Sequence, residues 1–137
     1  MQRTLAIIKP DAVGDNHVGA IIQRIESSGL EIKGLRLINL TQRDAEGFYA
    51  VHKERPFFAA LTAFMSSGPA VVLALEAPDA IVRWRTLMGV TDPERADEGT
   101  LRREFGASIE RNATHGSDAE DTAAYELNYF FRGVEVG

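Results

Sequence analysis

The segment that most constrains the fold is Ala70-Val71-Val72-Leu73-Ala74-Leu75, a run of six apolar residues with no polar position within it. Successive side chains of a strand point to opposite faces, so an unbroken apolar run marks a strand at the centre of a sheet. It is also the longest apolar run in the chain, far short of the ~20 residues that span a bilayer as a helix. Leu5 to Ile8 is a second compact run. It reads as a buried strand ending at Lys9-Pro10, because the residue before proline is pushed away from helical angles.

Helical periodicity fills the intervals. Val18, Ile21, Ile22 and Ile25 follow the i, i+3, i+4, i+7 spacing of an amphipathic helix that Ser28-Gly29 should stop. Leu30 and Ile32, then Leu35 and Leu37, alternate as a strand whose register slips at Gly34, which predicts a bulge there. Thr41 and Asp44 have the spacing of a capping box for a helix with Ala45, Phe48, Tyr49 and His52 on one face. Phe57, Phe58, Leu61, Phe64 and Met65 form another stripe, closed by Gly68-Pro69. Pro78-Asp79 opens a helix through Ile81, Trp84 and Met88 that ends at Gly89. The polar stretch from Val90 to Gly106 is long for a plain connection, and a helical turn near Thr100 to Phe105 is expected within it. Ile109 to His115 reads as a last short strand, and Ser117 with Glu120 as a capping box for a final helix carrying Ala123, Leu127 and Phe130. This order describes an α+β or α/β sandwich with about four strands, close to the split βαβ plan.

At 137 residues the chain fits one domain, 1–137. It has no cysteine, hence no disulfide framework, thiolate metal site or cysteine nucleophile. Met1-Gln2-Arg3-Thr4 runs straight into a strand-like stretch without a secretory signal, and a cytoplasmic location is expected. The net charge of -5 argues against a generic nucleic-acid coat, so neither membrane nor sequence-specific nucleic acid is an expected partner. The 15 cations divide into 12 Arg and 3 Lys. Arginine's planar fork suits phosphate and carboxylate, and genomic base composition explains the same bias.

Several segments carry possible chemistry, each with an ordinary structural role open to it. Gly14 and Gly19 have the glycine spacing of a phosphate-binding loop, but Ala20 and Ile21 stand where that motif needs Lys and Ser/Thr, so the loop is rejected. The three histidines, His17, His52 and His115, show no close metal-ligand spacing. His115 lies in Asn112-Ala113-Thr114-His115-Gly116-Ser117-Asp118, at a strand end before a helix start, with Gly116 removing bulk beside the ring. A neutral imidazole there can attack an electrophilic phosphorus, or simply sit in a turn beside an N-cap. Arg85, Thr91, Arg102 and Arg103 bracket the polar stretch as donors for a polyphosphate or as a solvated surface. Lys9 stands at the strand edge where α/β proteins place ligands. Phe57 and Phe58 are core residues, or one is a stacking platform for a base.

Taken together these residues resemble the nucleoside diphosphate kinase family along essentially the whole chain. The resemblance runs through Thr4-Leu5-Ala6-Ile7-Ile8-Lys9-Pro10-Asp11, then Phe48-Tyr49-Ala50-Val51-His52-Lys53-Glu54-Arg55-Pro56-Phe57-Phe58 and Ser67-Gly68-Pro69. It continues through Leu87-Met88-Gly89-Val90-Thr91-Asp92-Pro93, Gly99-Thr100-Leu101-Arg102 and the signature around His115. It implies a ferredoxin-like fold, a four-stranded antiparallel sheet with covering helices. It also implies ping-pong transfer of a γ-phosphate from a nucleoside triphosphate to a nucleoside diphosphate through phosphohistidine, with broad base and sugar specificity.

By the same resemblance His115 is the nucleophile, Glu126 the carboxylate that orients its ring, Ser117 a support for that pair, and Tyr49 a tyrosine beside the imidazole. Lys9 is the lysine near the sugar hydroxyls and terminal phosphate. Phe57 stacks on the base, Arg85, Thr91 and Arg102 bind phosphate, and Asn112 bonds the ribose 3′-hydroxyl. Mg²⁺ is expected to ride on the nucleotide phosphates, with no metal site in the protein. A homo-oligomer, tetramer or hexamer, is implied; the short end after Phe131 looks like that of bacterial members. Two positions depart from the family pattern, Glu98 before Gly99 and Thr114 before His115. Two other readings share the features: a ferredoxin-like nucleotide-binding regulatory module without turnover, and a histidine phosphocarrier charged by a partner protein.

Overall fold

The computed structural model describes all residues from Met1 to Gly137, the side chain of Val134 excepted. Its elements are β1 (Gln2–Ile8), α1 (Pro10–Gly14), α2 (Val18–Ser27), β2 (Glu31–Ile38), α3 (Gln42–Phe48), α4 (Phe58–Met65), β3 (Ala70–Ala77), α5 (Ala80–Met88), α6 (Leu101–Phe105), β4 (Thr114–Gly116) and α7 (Glu120–Phe130). A 3₁₀ turn, Ala50–His52, joins α3 to α4, and another, Gly133–Glu135, follows α7.

The four strands form one sheet in the order β2-β3-β1-β4, and every neighbouring pair is antiparallel. This is the ferredoxin-like α+β plan. The two apolar runs occupy the two central strands, as their composition requires. The sheet is covered on both faces. Ala6 and Ile8 of β1, with Val71, Leu73 and Leu75 of β3, pack against Ile21, Ile25, Trp84 and Met88. Leu5 and Ile7, with Val72 and Ala74, pack against Phe48, Tyr49, Met65 and Phe130. Each fully buried Leu or Ile contributes ~1.5–3 kcal/mol, so the central strands are a stiff base for whatever their ends carry.

Local expectations are met at the bulge, where the β2–β3 register shifts between Ile32 and Gly34. They are met again at α3, where Thr41 and Asp44 form the reciprocal capping box. Three boundaries differ. α3 ends at Phe48, which leaves His52, expected on its face, in the following 3₁₀ turn. β4 is Thr114–Gly116 rather than Ile109 to His115, because β1 offers it partners only from Ala6 to Ile8. The last helix starts at Glu120, and Thr122 Oγ1, not Ser117, accepts the backbone N–H of Asp118 and Ala119 at 3.2 and 2.9 Å. Ser117 is drawn elsewhere: it is fully buried, and its Oγ accepts the Leu5 N–H at 3.2 Å. Among the described residues no helix is long and apolar enough to cross a membrane.

Candidate active site

The end of β1 and the short β4 lie side by side, with Ile7 opposite His115. A cleft of about 650 Å³ opens over them, lined on one side by Lys9, Arg85, Arg102, Asn112 and His115, and on the other by His52, Phe57, Leu61 and Phe64. Tyr49, Thr91, Glu110, Arg111 and Asp118 also line it. The pattern is a polar, cationic floor facing an aromatic lip.

His115 is fixed from three sides. Its Nε2 lies 2.9 Å from Glu126 Oε1 on α7. Its carbonyl accepts the indole N–H of the fully buried Trp84 at 3.0 Å. Phe48 and Tyr49 pack edge-on to the ring at centroid distances of 5.4 and 5.9 Å. Ser117 Oγ donates to the same Glu126 oxygen at 2.9 Å, so hydroxyl and imidazole converge on one atom. A carboxylate only accepts, so in a neutral imidazole the ring proton belongs on Nε2 and the lone pair on Nδ1. The sequence placed His115 at a strand end just before a helix start; it does sit in a strand, β4, but α7 begins only at Glu120 and reaches it from the side through Glu126. Gly116 removes bulk next to Trp84 rather than beside the histidine ring: a Cβ there would stand 2.6 Å from Trp84 Cδ1 and 2.7 Å from Met88 Cε.

The buried cations are held by neutral acceptors. Arg102 is only 7% exposed and donates to the carbonyls of Gly89 at 3.1 Å and Thr114 at 2.9 Å. Burial and the nearby Arg85 charge push its pKa down to about 10, against the pull of Asp118. Lys9 Nζ donates to Asn112 Oδ1 at 2.8 Å, and Asn112 Nδ2 donates to the Thr91 carbonyl at 3.1 Å. Burial, then Arg102, push the Lys9 pKa down to about 8, with Asp11 opposing. Arg85 is exposed and pairs with Asp118 at 2.9 Å. Tyr49 is buried, its hydroxyl has no partner among the described residues, and burial followed by the Glu126 charge pushes its pKa up.

Every site residue that the family resemblance implies lies in this cleft or against it. Glu126 and Ser117 stand behind His115 rather than on the lining. Phe57 is 50% exposed, whereas Phe58 packs into the core. Arg103, bracketed with the phosphate donors, points away and donates to the Glu94 carbonyl at 2.8 Å. His17 caps α2 and tilts against Phe105 at 4.6 Å. Sequence reasoning missed Arg111, which lines the cleft with its guanidinium 5.3 Å from the Phe64 ring centroid; its place beside Asn112 was the only signal.

A family model described as nucleoside diphosphate kinase matches residues 2–136. The chain belongs to the nucleoside diphosphate kinase family. The nucleoside diphosphate kinase of Desulfosudis oleivorans is 57% identical over 136 residues, covering 99% of this chain and 98% of that protein. That of Geotalea daltonii is 55% identical over 99% of both. Among solved structures, the Aquifex aeolicus nucleoside diphosphate kinase superposes with a TM-score of 0.97 at 42% identity, covering 99% of each chain. The Halobacterium salinarum enzyme, solved in complex with CDP, gives 0.95 at 36% identity, covering 99% of this chain and 91% of that one. These relatives are kinases along their whole length, and nothing observed favours a module without turnover.

Proposed function

We propose that residues 1–137 act as one domain that moves the γ-phosphate of a nucleoside triphosphate to a nucleoside diphosphate through phosphohistidine on Nδ1 of His115. The observation that carries this is the tie between His115 Nε2 and Glu126 at 2.9 Å beside a cleft floored with cations. Nδ1 attacks the γ-phosphorus in line, the N–P bond forms as the bridging P–O bond breaks, and the diphosphate leaves with that electron pair. A second diphosphate then takes the phosphoryl group by the reverse step. Glu126, supported by Ser117, holds the ring and balances the positive charge that grows on it. Lys9, Arg85, Arg102 and Thr91 meet the phosphate oxygens, and Tyr49 walls the imidazole.

Phe57 stacks on the base, and Asn112 bonds the ribose hydroxyl. A stacking platform reads no base edge, which supports broad base specificity. Among the described residues no group of three or more His, Asp or Glu could hold a metal ion, and Asp118 is engaged by Arg85. That donor set fits Mg²⁺ carried in on the nucleotide phosphates, where it would neutralise charge between them. We also propose a cytoplasmic homo-oligomer, tetramer or hexamer built from dimers. Leu35 and Leu37, 47% and 65% exposed on the edge strand β2, support self-association, and light scattering of the purified protein tests it.

Incubation with γ-labelled ATP should give an acid-labile, base-stable phosphoprotein, and a nucleoside diphosphate of any base should discharge it. Equal labelling of His115→Ala would sink this reading.

A further inference from the structure

The floor of the cleft contains a strained turn. Ala113 is fully buried and has a φ of +74°, in the left-handed region that disfavours a Cβ. Across it the Thr114 N–H donates to the Asn112 carbonyl at 2.9 Å. Together these describe a γ-turn of the rare, strained hand, centred on an alanine. It joins the two cleft residues Asn112 and His115, so its angle sets the direction in which both enter the site. Such a conformation at a non-glycine residue persists only where its surroundings over-determine it.

Two contacts do so from the β1–α1 junction. The Lys9 N–H donates to the Ala113 carbonyl at 2.8 Å. The Ala113 N–H donates to Asp11 Oδ2 at 3.0 Å. The Lys9 contact belongs to the backbone and would survive any side chain there. The Asp11 contact is made by a side chain that does not line the cleft. Asp11 Oδ1 is buried without a partner among the described residues, so no other hydrogen bond of this carboxylate explains its orientation. An acidic residue in the first turn of a helix ordinarily serves the helix dipole. Here α1 has five residues, and the carboxylate is turned to Ala113 instead.

We propose that Asp11 is a positioning residue for phosphoryl transfer: its carboxylate holds Ala113 in the left-handed turn that aims His115 and Asn112 into the cleft. The proposal rests on His115 being the phosphorylated residue. Removing the carboxylate lets Ala113 relax toward negative φ and swings His115 away from its line of attack. A displacement of about 1 Å at a reacting group costs up to ~100-fold in rate.

The test is a double-mutant cycle in the full-length protein. The single-turnover rate of His115 phosphorylation by ATP and the dissociation constant for ADP are measured for wild type, Asp11→Ala, Ala113→Gly and the double variant. Glycine accepts positive φ without strain, so it removes the need for the restraint. Asp11→Ala should slow phosphorylation ~10- to 100-fold and weaken ADP binding by less, through Asn112, and adding Ala113→Gly should restore most of both losses. An unchanged rate in Asp11→Ala would overturn the proposal. So would a loss of the same size with and without Ala113→Gly, since a purely electrostatic role through Lys9 gives that result. Should Asp11→Ala fail to fold, Asp11→Leu, of similar size and likewise without an acceptor, takes its place, and the same coupling decides. Failure of wild type to label on His115 would instead defeat the assignment of the nucleophile, a separate outcome.

Discussion

Lys9 makes the stability of this protein rise with pH over a range where most proteins lose it. The residue is 7% exposed, and burial, then the charge of Arg102, bring its pKa from 10.5 down to about 8. Between those values the unfolded chain carries a proton that the folded chain has released. The unfolded state binds more protons there, so raising the pH stabilises the fold. Integrated from pH 7 to pH 10, the gain is about 2.5 kcal/mol, an order-of-magnitude figure. The perturbation is Lys9→Met, which keeps the stem and removes the titration. The lost hydrogen bond to Asn112 Oδ1 adds a penalty that does not vary with pH in this range. Guanidinium unfolding of both proteins at fixed concentration and several pH values gives a difference curve free of that constant. It should climb by about 2.5 kcal/mol in favour of wild type between pH 7 and 10. Raised Tyr49 and Tyr129 pKa values pull the absolute curves down above pH 10, but equally in both proteins. A flat difference curve would refute the reasoning.

The same shift has a binding counterpart. A phosphate beside Lys9 restores its charge, so nucleotide binding takes up a proton once the pH exceeds about 8. ADP affinity of wild type should fall as pH rises through that value, and that of Lys9→Met should not.

Three further outcomes follow from packing. Gly116→Ala drives a Cβ to 2.6 Å from the fully buried Trp84, which overpacking data put at ~1–3 kcal/mol of stability; thermal melts and phosphorylation rates should both fall as the Trp84 bond to the His115 carbonyl is displaced. Phe57→Ala removes a half-exposed ring, so stability should hold while KM rises for purine and pyrimidine diphosphates alike by ~5- to 150-fold, the worth of one stacked base. The hydroxyls of Tyr125 and Tyr129 donate to the carbonyls of Gly47 and Asp44 at 2.7 and 2.8 Å and clamp α7 to α3; each Tyr→Phe change should cost ~0.5–1.5 kcal/mol by denaturant unfolding.

The sheet and most helices were legible because apolar spacing reports burial directly: Ala70 to Leu75 and Leu5 to Ile8 became the two central strands. The β2 bulge at Gly34 and the box at Thr41 were legible because each depends on neighbours in sequence. What escaped was set by distant partners. β4 shrank to three residues because only the end of β1 faces it. Ser117 has the composition of a cap, yet is claimed by Glu126 nine residues on and by Leu5 across the sheet. Within the site, His115, Lys9 and Arg102 could be suspected one by one, but their convergence came from family resemblance and from the fold. The left-handed Ala113 gave no signal, because alanine is not a residue that advertises positive φ.

That site also explains how an acidic chain can present a cationic cleft. A carboxylate partner for Arg102 or Lys9 would relieve the cost of burying the charge, and would cancel its field toward an anion. The fold supplies carbonyl oxygens instead: Gly89 and Thr114 for Arg102, Asn112 for Lys9. These accept from the cations without neutralising them and leave Arg102 Nε buried without a partner among the described residues, so the desolvation cost stays in the free protein as depressed pKa values. An entering polyphosphate returns the missing countercharge and relieves that cost, which makes binding stabilise the fold as well. Arg85, the one cleft cation paired with a carboxylate among the described residues, is exposed, where water screens the pair and Asp118 can be exchanged for phosphate cheaply. The arrangement sacrifices stability without ligand for electrostatic attraction to it, and the rising pH–stability curve of Lys9 is the measurable trace of that sacrifice.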